Sequence, residues 1–159
     1  MVSGDELRAV MGRFPAGVAV VTVDFDGQRL GLTVASLVSL SLQPPLVGFA
    51  IRNDAALREL LRDAGRLAVS MLAEGQEAVA QHFARGVPPI ALWTAIPLRE
   101  GAPDDPPELE GAIGWLRCAI RAEHETGDHT FFVAEVEKAE LAPGNAQPLV
   151  FHRQSYASL

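Results

Sequence analysis

Residues 17–25, GVAVVTVDF, constrain the fold more than any other stretch. Both alternating faces of this β-branched run are apolar, which suits a strand covered on two sides rather than one lying at the surface. Asp26-Gly27 follows at once, and an Asp-Gly pair between apolar runs is a strong hairpin signal. Residues 28–35 are therefore expected to return antiparallel. A chain with such a strand near its start needs two separate apolar layers, one for each face.

The remaining pattern supplies more short strands with helices between some of them. Leu7, Val10, Met11 and Phe14 fall at helical spacing, and Ser3 with Glu6 forms a capping-box pattern, so a helix is expected over 4–12, ended by Pro15 and Gly17. LVGFAI (46–51) reads as a buried strand. Residues 54–64 read as a helix with Asp54 as N-cap, Leu57, Leu60 and Leu61 on one face, and Gly65 closing it. RLAVSML (66–72) is a strand and EGQEAVAQHFAR (74–85) a helix. Residues 87–109 hold six of the eleven prolines and are expected to form a long irregular connection around a short piece near ALWTAI. The last third is β: residues 112–125, the turn TGD, residues 129–141, and PLVFH at 148–152. Glu135 and Glu137 give the strand 129–141 one wet face.

There is no βαβαβ alternation, no GxGxxG and no Walker-type loop. The order points to a mainly β fold, an antiparallel barrel with helices packed outside it, in one domain over 1–159. No internal repeat or low-complexity segment is present.

Charge and cysteine content exclude several classes. The net charge is −7, from 13 basic and 20 acidic residues, with no Lys/Arg stripe, which argues against nucleic acid as partner. A single cysteine, Cys118, excludes an internal disulfide and multi-cysteine zinc sites. No window approaches the ~18 apolar residues of a membrane span. The N-terminus lacks a signal-peptide layout, so a cytoplasmic protein is expected.

Residues 31–46, GLTVASLVSLSLQPPL, carry four hydroxyls (Thr33, Ser36, Ser39, Ser41) in an apolar run. They are not spaced strictly by two, so residues 35–39 should include a bend. A bend with hydroxyls and free amides can cradle an anion without basic side chains; the alternative is a solvated edge strand and turn. His124 and His129 flank ETGD with Glu123, Glu125 and Asp128 nearby, a set open to a metal or to simple solvation. His129 opens an apolar strand, so its ring must pack against the sheet or a ligand. His82 and His152 read as structural or exposed, Cys118 as a buried strand thiol, Trp93 and Trp115 as core. The acidic pairs Asp104-Asp105, Glu123 and Glu125, and Glu135 and Glu137 read as solvated faces. No nucleophile elbow is present. Composition and spacing name no reaction.

Five stretches in order resemble the flavin reductase-like, FMN-binding split-barrel family: FPAGVAVVT, GLTVASLVSLSLQPPLV, RLAVSMLAEGQEAVAQHFA, GDH at 127–129 and PLVFHRQSY at 148–156. The resemblance covers nearly the whole chain and implies an antiparallel Greek-key split β-barrel. It implies that Thr33, Val34, Ala35, Ser36, Ser39 and Ser41 wrap the flavin ribityl chain and phosphate. Arg52 and Asn53 would sit near the phosphate, and Phe83 with Arg85 would close over the cofactor. His129 and Tyr156 would position the nicotinamide. The chain departs from the family pattern at Ala35 and at Asp54, Ala55 and Ala56. The activity implied is NAD(P)H:flavin oxidoreduction with FMN favoured over FAD, by a homodimer serving a monooxygenase partner. A non-catalytic flavin- or phosphate-ligand-binding barrel is the alternative. A metal-dependent hydrolase on His124, Asp128 and His129 is a further one.

Overall fold

The computed structural model describes residues 1–159. In chain order the elements are α1 (Gly4–Met11), β1 (Ala16–Gly17), β2 (Ala19–Phe25), β3 (Gln28–Val34), β4 (Val38–Leu42), β5 (Pro45–Arg52) and α2 (Ala56–Ala64). They continue with β6 (Arg66–Met71), α3 (Glu77–Ala84), α4 (Pro89–Leu92), β7 (Gly114–Thr126), β8 (His129–Leu141), β9 (Leu149–His152) and β10 (Ser155–Ser158). Seven strands form one antiparallel sheet in the order β3-β2-β6-β7-β8-β5-β4, and β1, β9 and β10 form a second, small one. No helix is long and apolar enough to cross a membrane.

The two edges of the large sheet, β3 and β4, are neighbours in sequence, joined only by residues 35–37. Three residues span ~10 Å at most, so the sheet must curl until its edges nearly meet. No ladder joins β3 to β4, and that seam is where the barrel is split.

β2 is covered on both faces, as its sequence requires. Ala19, Val21 and Val23 belong to one core cluster and Val18 and Val20 to another. The first core lies inside the curl, where Phe49 and Phe132 stack at 5.7 Å and Leu57, Leu60 and Leu61 of α2 plug it. The second lies under α3 and the proline-rich segment, around Phe83, Leu92 and Leu109. The Asp26-Gly27 turn has φ of 49° and 74°, and β2 pairs with β3 in the expected register. Gly31 is required by packing: a Cβ there would lie 2.9 Å from the Phe83 ring. Cys118 is buried as expected, and burial pushes its thiol up to about 12.

Several expectations are corrected. Asp54 does not cap α2; Ala55 holds that position and Asp54 instead pairs with Arg52. Residues 38–42 form the edge strand β4, in line with the edge-strand alternative for the hydroxyl-rich stretch, whereas residues 155–158 form β10, which the polar composition of RQSY concealed. Helix α1 and its capping box form as expected, yet none of its residues is buried. Asp105 is no solvated loop carboxylate: it holds Arg117 at 2.6 Å.

That contact belongs to a clip that fastens the proline-rich segment to the sheet. Glu108, 6% exposed, accepts from Arg99 and Arg117, each at 2.7 Å. Arg99 also reaches Glu140 at 2.6 Å and lies 3.7 Å over the Trp115 ring, whose Nε1 donates to the Leu109 carbonyl. Removing the buried partner leaves Arg99 with Glu140 and Arg117 with Asp105, and both guanidinium groups remain about a quarter exposed. Glu108→Ala should therefore cost about 2 kcal/mol, below the full penalty of a buried pair, read as a lower urea midpoint. An unchanged midpoint would mean the clip contributes nothing.

Candidate active site

The seam between β3 and β4 is the centre of the site. Val34 sends its side chain into the inner core, and Thr33, on the opposite face, donates to the Ala80 carbonyl of α3 at 2.7 Å. With both flanking side chains anchored, the chain turns outward at Ala35. Ser36 Oγ accepts from the Ala50 amide at 2.9 Å, which ties the bend to β5. The amides of Ala35, Ser36 and Leu37 make none of the chain's turn and loop hydrogen bonds. Three consecutive amides without a protein acceptor, at a partly exposed bend, are available to an anionic ligand.

The cradle lies on the wall of an open cleft of about 780 Å³. The cleft is also lined by Met11, the last residue of α1, by Phe14 just beyond it, and by Phe151 of β9. A volume of this size with apolar walls and a few convergent polar groups suits a flat aromatic ligand with an anionic tail. Phe151 also carries Tyr156, ring to ring at 5.5 Å, and desolvation raises the Tyr156 hydroxyl above its ordinary pKa.

A separate polar group, outside the lining of this cleft, sits along β5. Arg52 pairs with His129 across β5 and β8, and Ala50, which holds Ser36, lies two residues before Arg52 on the same face. His129 Nδ1 is 2.7 Å from Asp128 Oδ1, and this bond holds the Asp128 carboxyl below its usual range. Asn53 pins the turn that presents the histidine: its backbone amide donates to the Asp128 carbonyl and its side-chain amide to the Gly127 carbonyl. Its side-chain oxygen accepts from Thr130. Asn53 is thus a positioning residue for His129, with one of its two side-chain N–H donors used on the turn. Arg52 is neutralised by Asp54, at 2.9 and 2.7 Å, and this bond lowers the Asp54 pKa.

The other expected residues divide. Ala35 and Ser36 line the cleft, Val34 faces the core, and Ser39 is exposed on β4. Ser41 accepts from the Gln43 amide within its own turn. Phe83 does not close over a ligand: it is 1% exposed, packed against Trp93 at 5.3 Å in the outer core. Arg85 lies at the end of α3, 3.4 Å from Gln81, away from the cleft wall. Phe14 and Phe151 also line the cleft, a placement that no sequence motif signals. No group of three or more His, Cys, Asp or Glu side chains is placed to hold a metal ion, so His124, Asp128 and His129 do not form a ligand cluster.

Comparison with known proteins gives the same answer as the geometry. The model of the flavin reductase like domain matches residues 11–159. The chain belongs to the flavin reductase-like family. It is 38% identical over 155 residues to the reductase component of 4-hydroxyphenylacetate 3-monooxygenase from Thermus thermophilus, covering 98% of this chain and 96% of that protein. It is similar to the solved structure of the NADH:FAD oxidoreductase of Streptomyces globisporus C-1027, with a TM-score of 0.91 and 35% identity, covering 100% of this chain and 96% of that one. A second similar structure is the flavin reductase component of a bacterial two-component tryptophan halogenase, with a TM-score of 0.90 and 32% identity over 99% of this chain and 98% of that one. Split-barrel flavin reductases are thus the structural neighbours of this seam and curl.

Because Ser36 holds the bend rather than pointing at a ligand, Ser36→Ala should act on both at once. The Ala50 amide loses its acceptor, at about 1 kcal/mol of stability, and flavin affinity should fall about fivefold as the cradle loosens. Thermal unfolding and a fluorescence titration read the two effects. Full affinity in the variant would remove the bend from the binding site.

Proposed function

We propose that residues 1–159 act as one flavin reductase domain, passing hydride from NADH or NADPH to FMN, with FAD as the larger alternative. The observation that carries this reading is the set of three unengaged amides on the wall of an open, apolar-sided cleft. The similar proteins support it. One is the reductase component of a monooxygenase, another an NADH:FAD oxidoreductase, and a further structure of the latter holds NAD and FAD fragments.

A flavin held here would supply the redox chemistry, as acceptor of a hydride. The chain's own part is positional. The amides of Ala35, Ser36 and Leu37 hold a phosphate by neutral donors, which avoids adding buried cations to an acidic protein. Met11, Phe14 and Phe151 exclude water from one side of the ring system. His129, whose Nδ1 donates to Asp128 and whose turn is held by the Asn53 staple, guides the nicotinamide by presenting Nε2 as an acceptor for its amide. Tyr156 backs Phe151 on the far wall. No acid/base dyad is required, because hydride transfer between the two cofactors needs proximity and orientation above all.

A homodimer is part of this reading. Helix α1 has eight residues, none buried, yet it carries Leu7, Val10 and Met11 at 56%, 70% and 53% exposure. A helix this short is marginal without packing, and Phe14 beside it is also exposed. A second copy seated on this face would cover it and border the cleft. Val10→Asp should then convert a dimer to monomer in light scattering; a dimer that survives places the interface elsewhere. Delivery of reduced flavin to a partner monooxygenase, in the cytoplasm where NAD(P)H is available, completes the proposal.

The test is anaerobic. Protein mixed with NADH and FMN should bleach the flavin, with saturation in both reactants. Flavin that binds yet stays yellow would leave a binding barrel. His129→Ala should raise KM for the nicotinamide nucleotide about tenfold with flavin affinity nearly unchanged; an equal loss of both would remove the histidine from the nicotinamide side.

A further inference from the structure

The chain's cations are almost all spent on its own carboxylates. Of the twelve arginines, nine pair with Asp or Glu within 4 Å. Arg85 lacks a carboxylate but leans on Gln81. Only Arg13 and Arg153 have guanidinium groups engaged by neither a carboxylate nor a hydrogen bond. In a chain of net charge −7, two such groups side by side are the exception.

They are side by side by construction. Arg13 follows the C-cap of α1, and the Arg153 amide donates to the Gly12 carbonyl at 2.6 Å, joining the β9–β10 turn to the helix end. That turn holds Arg153 and Gln154 at φ 51° and 60°, so the arginine is presented on a fixed two-residue loop. Together with Arg8, Ala9, Gly12 and Gln154 they line a cavity of about 260 Å³ without an acidic residue. Arg8, which pairs with Asp5 at 2.9 Å, lines both this cavity and the main cleft, as do Gly12 and Gln154.

We propose that Arg13 and Arg153 form a second anion subsite, taking a phosphate of the adenylate half of a dinucleotide that extends out of the main cleft. This rests on the reading of the cleft as a flavin site with its first phosphate at the bend 35–37. Two free guanidinium forks with ten N–H donors between them match phosphate oxygens in geometry as well as charge. FMN, with one phosphate at the bend, does not reach this subsite. FAD and the nicotinamide nucleotides each bring an adenylate, and either can supply the group.

The test is a set of calorimetric titrations of the full chain and the double variant Arg13→Gln/Arg153→Asn with FMN, FAD, NAD+ and NADP+. Asparagine tolerates the positive φ at 153, so the turn survives the change, and matching thermal unfolding confirms it. FMN affinity should stay the same while FAD or the nicotinamide nucleotides weaken about tenfold. Loss confined to FAD names the flavin adenylate, and loss confined to NAD+ or NADP+ names the nicotinamide nucleotide. Arg153→Lys should retain most of the affinity. Unchanged affinity for all four ligands overturns the proposal. An equal loss for FMN also overturns it, since the single phosphate would then sit on the arginines. None of these titrations needs turnover, so absence of flavin bleaching by the parent would count against the reductase reading and leave this one readable.

Discussion

Everything in this molecule depends on β2 being buried on both faces. A strand with Val20, Val21, Thr22 and Val23 fully covered cannot lie at the surface. Its inward face demands a curled sheet and its outward face demands a layer of helix and proline-rich chain. The curl brings β3 and β4 to opposite sides of a seam only three residues wide. The outer layer then needs fasteners, and the buried Thr22 and Ser70 hydroxyls supply two of them. Thr22 donates to the Pro107 carbonyl, and Ser70 accepts from the Leu109 amide. The Glu108 clip supplies the third.

The seam turns a folding requirement into a binding surface. At a sheet edge the backbone donors lose their ladder partners, and the bend at 35–37 exposes three of them on a cleft wall. Most arginines are already paired, including Arg52 and Arg58 on the His129 side. In the proposed function anion recognition at the bend falls to neutral amides, while the uncommitted arginines line an adjoining cavity that shares Arg8, Gly12 and Gln154 with the cleft.

Much of the fold was legible in the sequence because it rests on local patterns. The Asp26-Gly27 turn, the α1 capping box, the Leu57-Leu60-Leu61 face and the Gly65 cap are each set within a few residues. The bend at 35–39 was legible too, since hydroxyls at irregular spacing exclude a continuous strand. What failed depended on distant partners. Asp54 looked like a cap until Arg52 claimed it, and Phe83 looked like a lid until the outer core enclosed it. Asn53 gave no sign that it would staple a turn more than seventy residues away. Arg13 and Arg153 stand out only once every other arginine has been matched to its carboxylate, which sequence alone does not do.

Central to the proposed function is a flavin phosphate held at the seam by backbone amides. The most direct measurement is a titration of 15N-labelled protein with FMN, following the amide resonances. The resonances of Ala35, Ser36 and Leu37 should shift strongly and together, as amides do on gaining a charged acceptor, and riboflavin, which lacks the phosphate, should leave them nearly still. Equal shifts with riboflavin, or shifts centred on other residues, would contradict the claim.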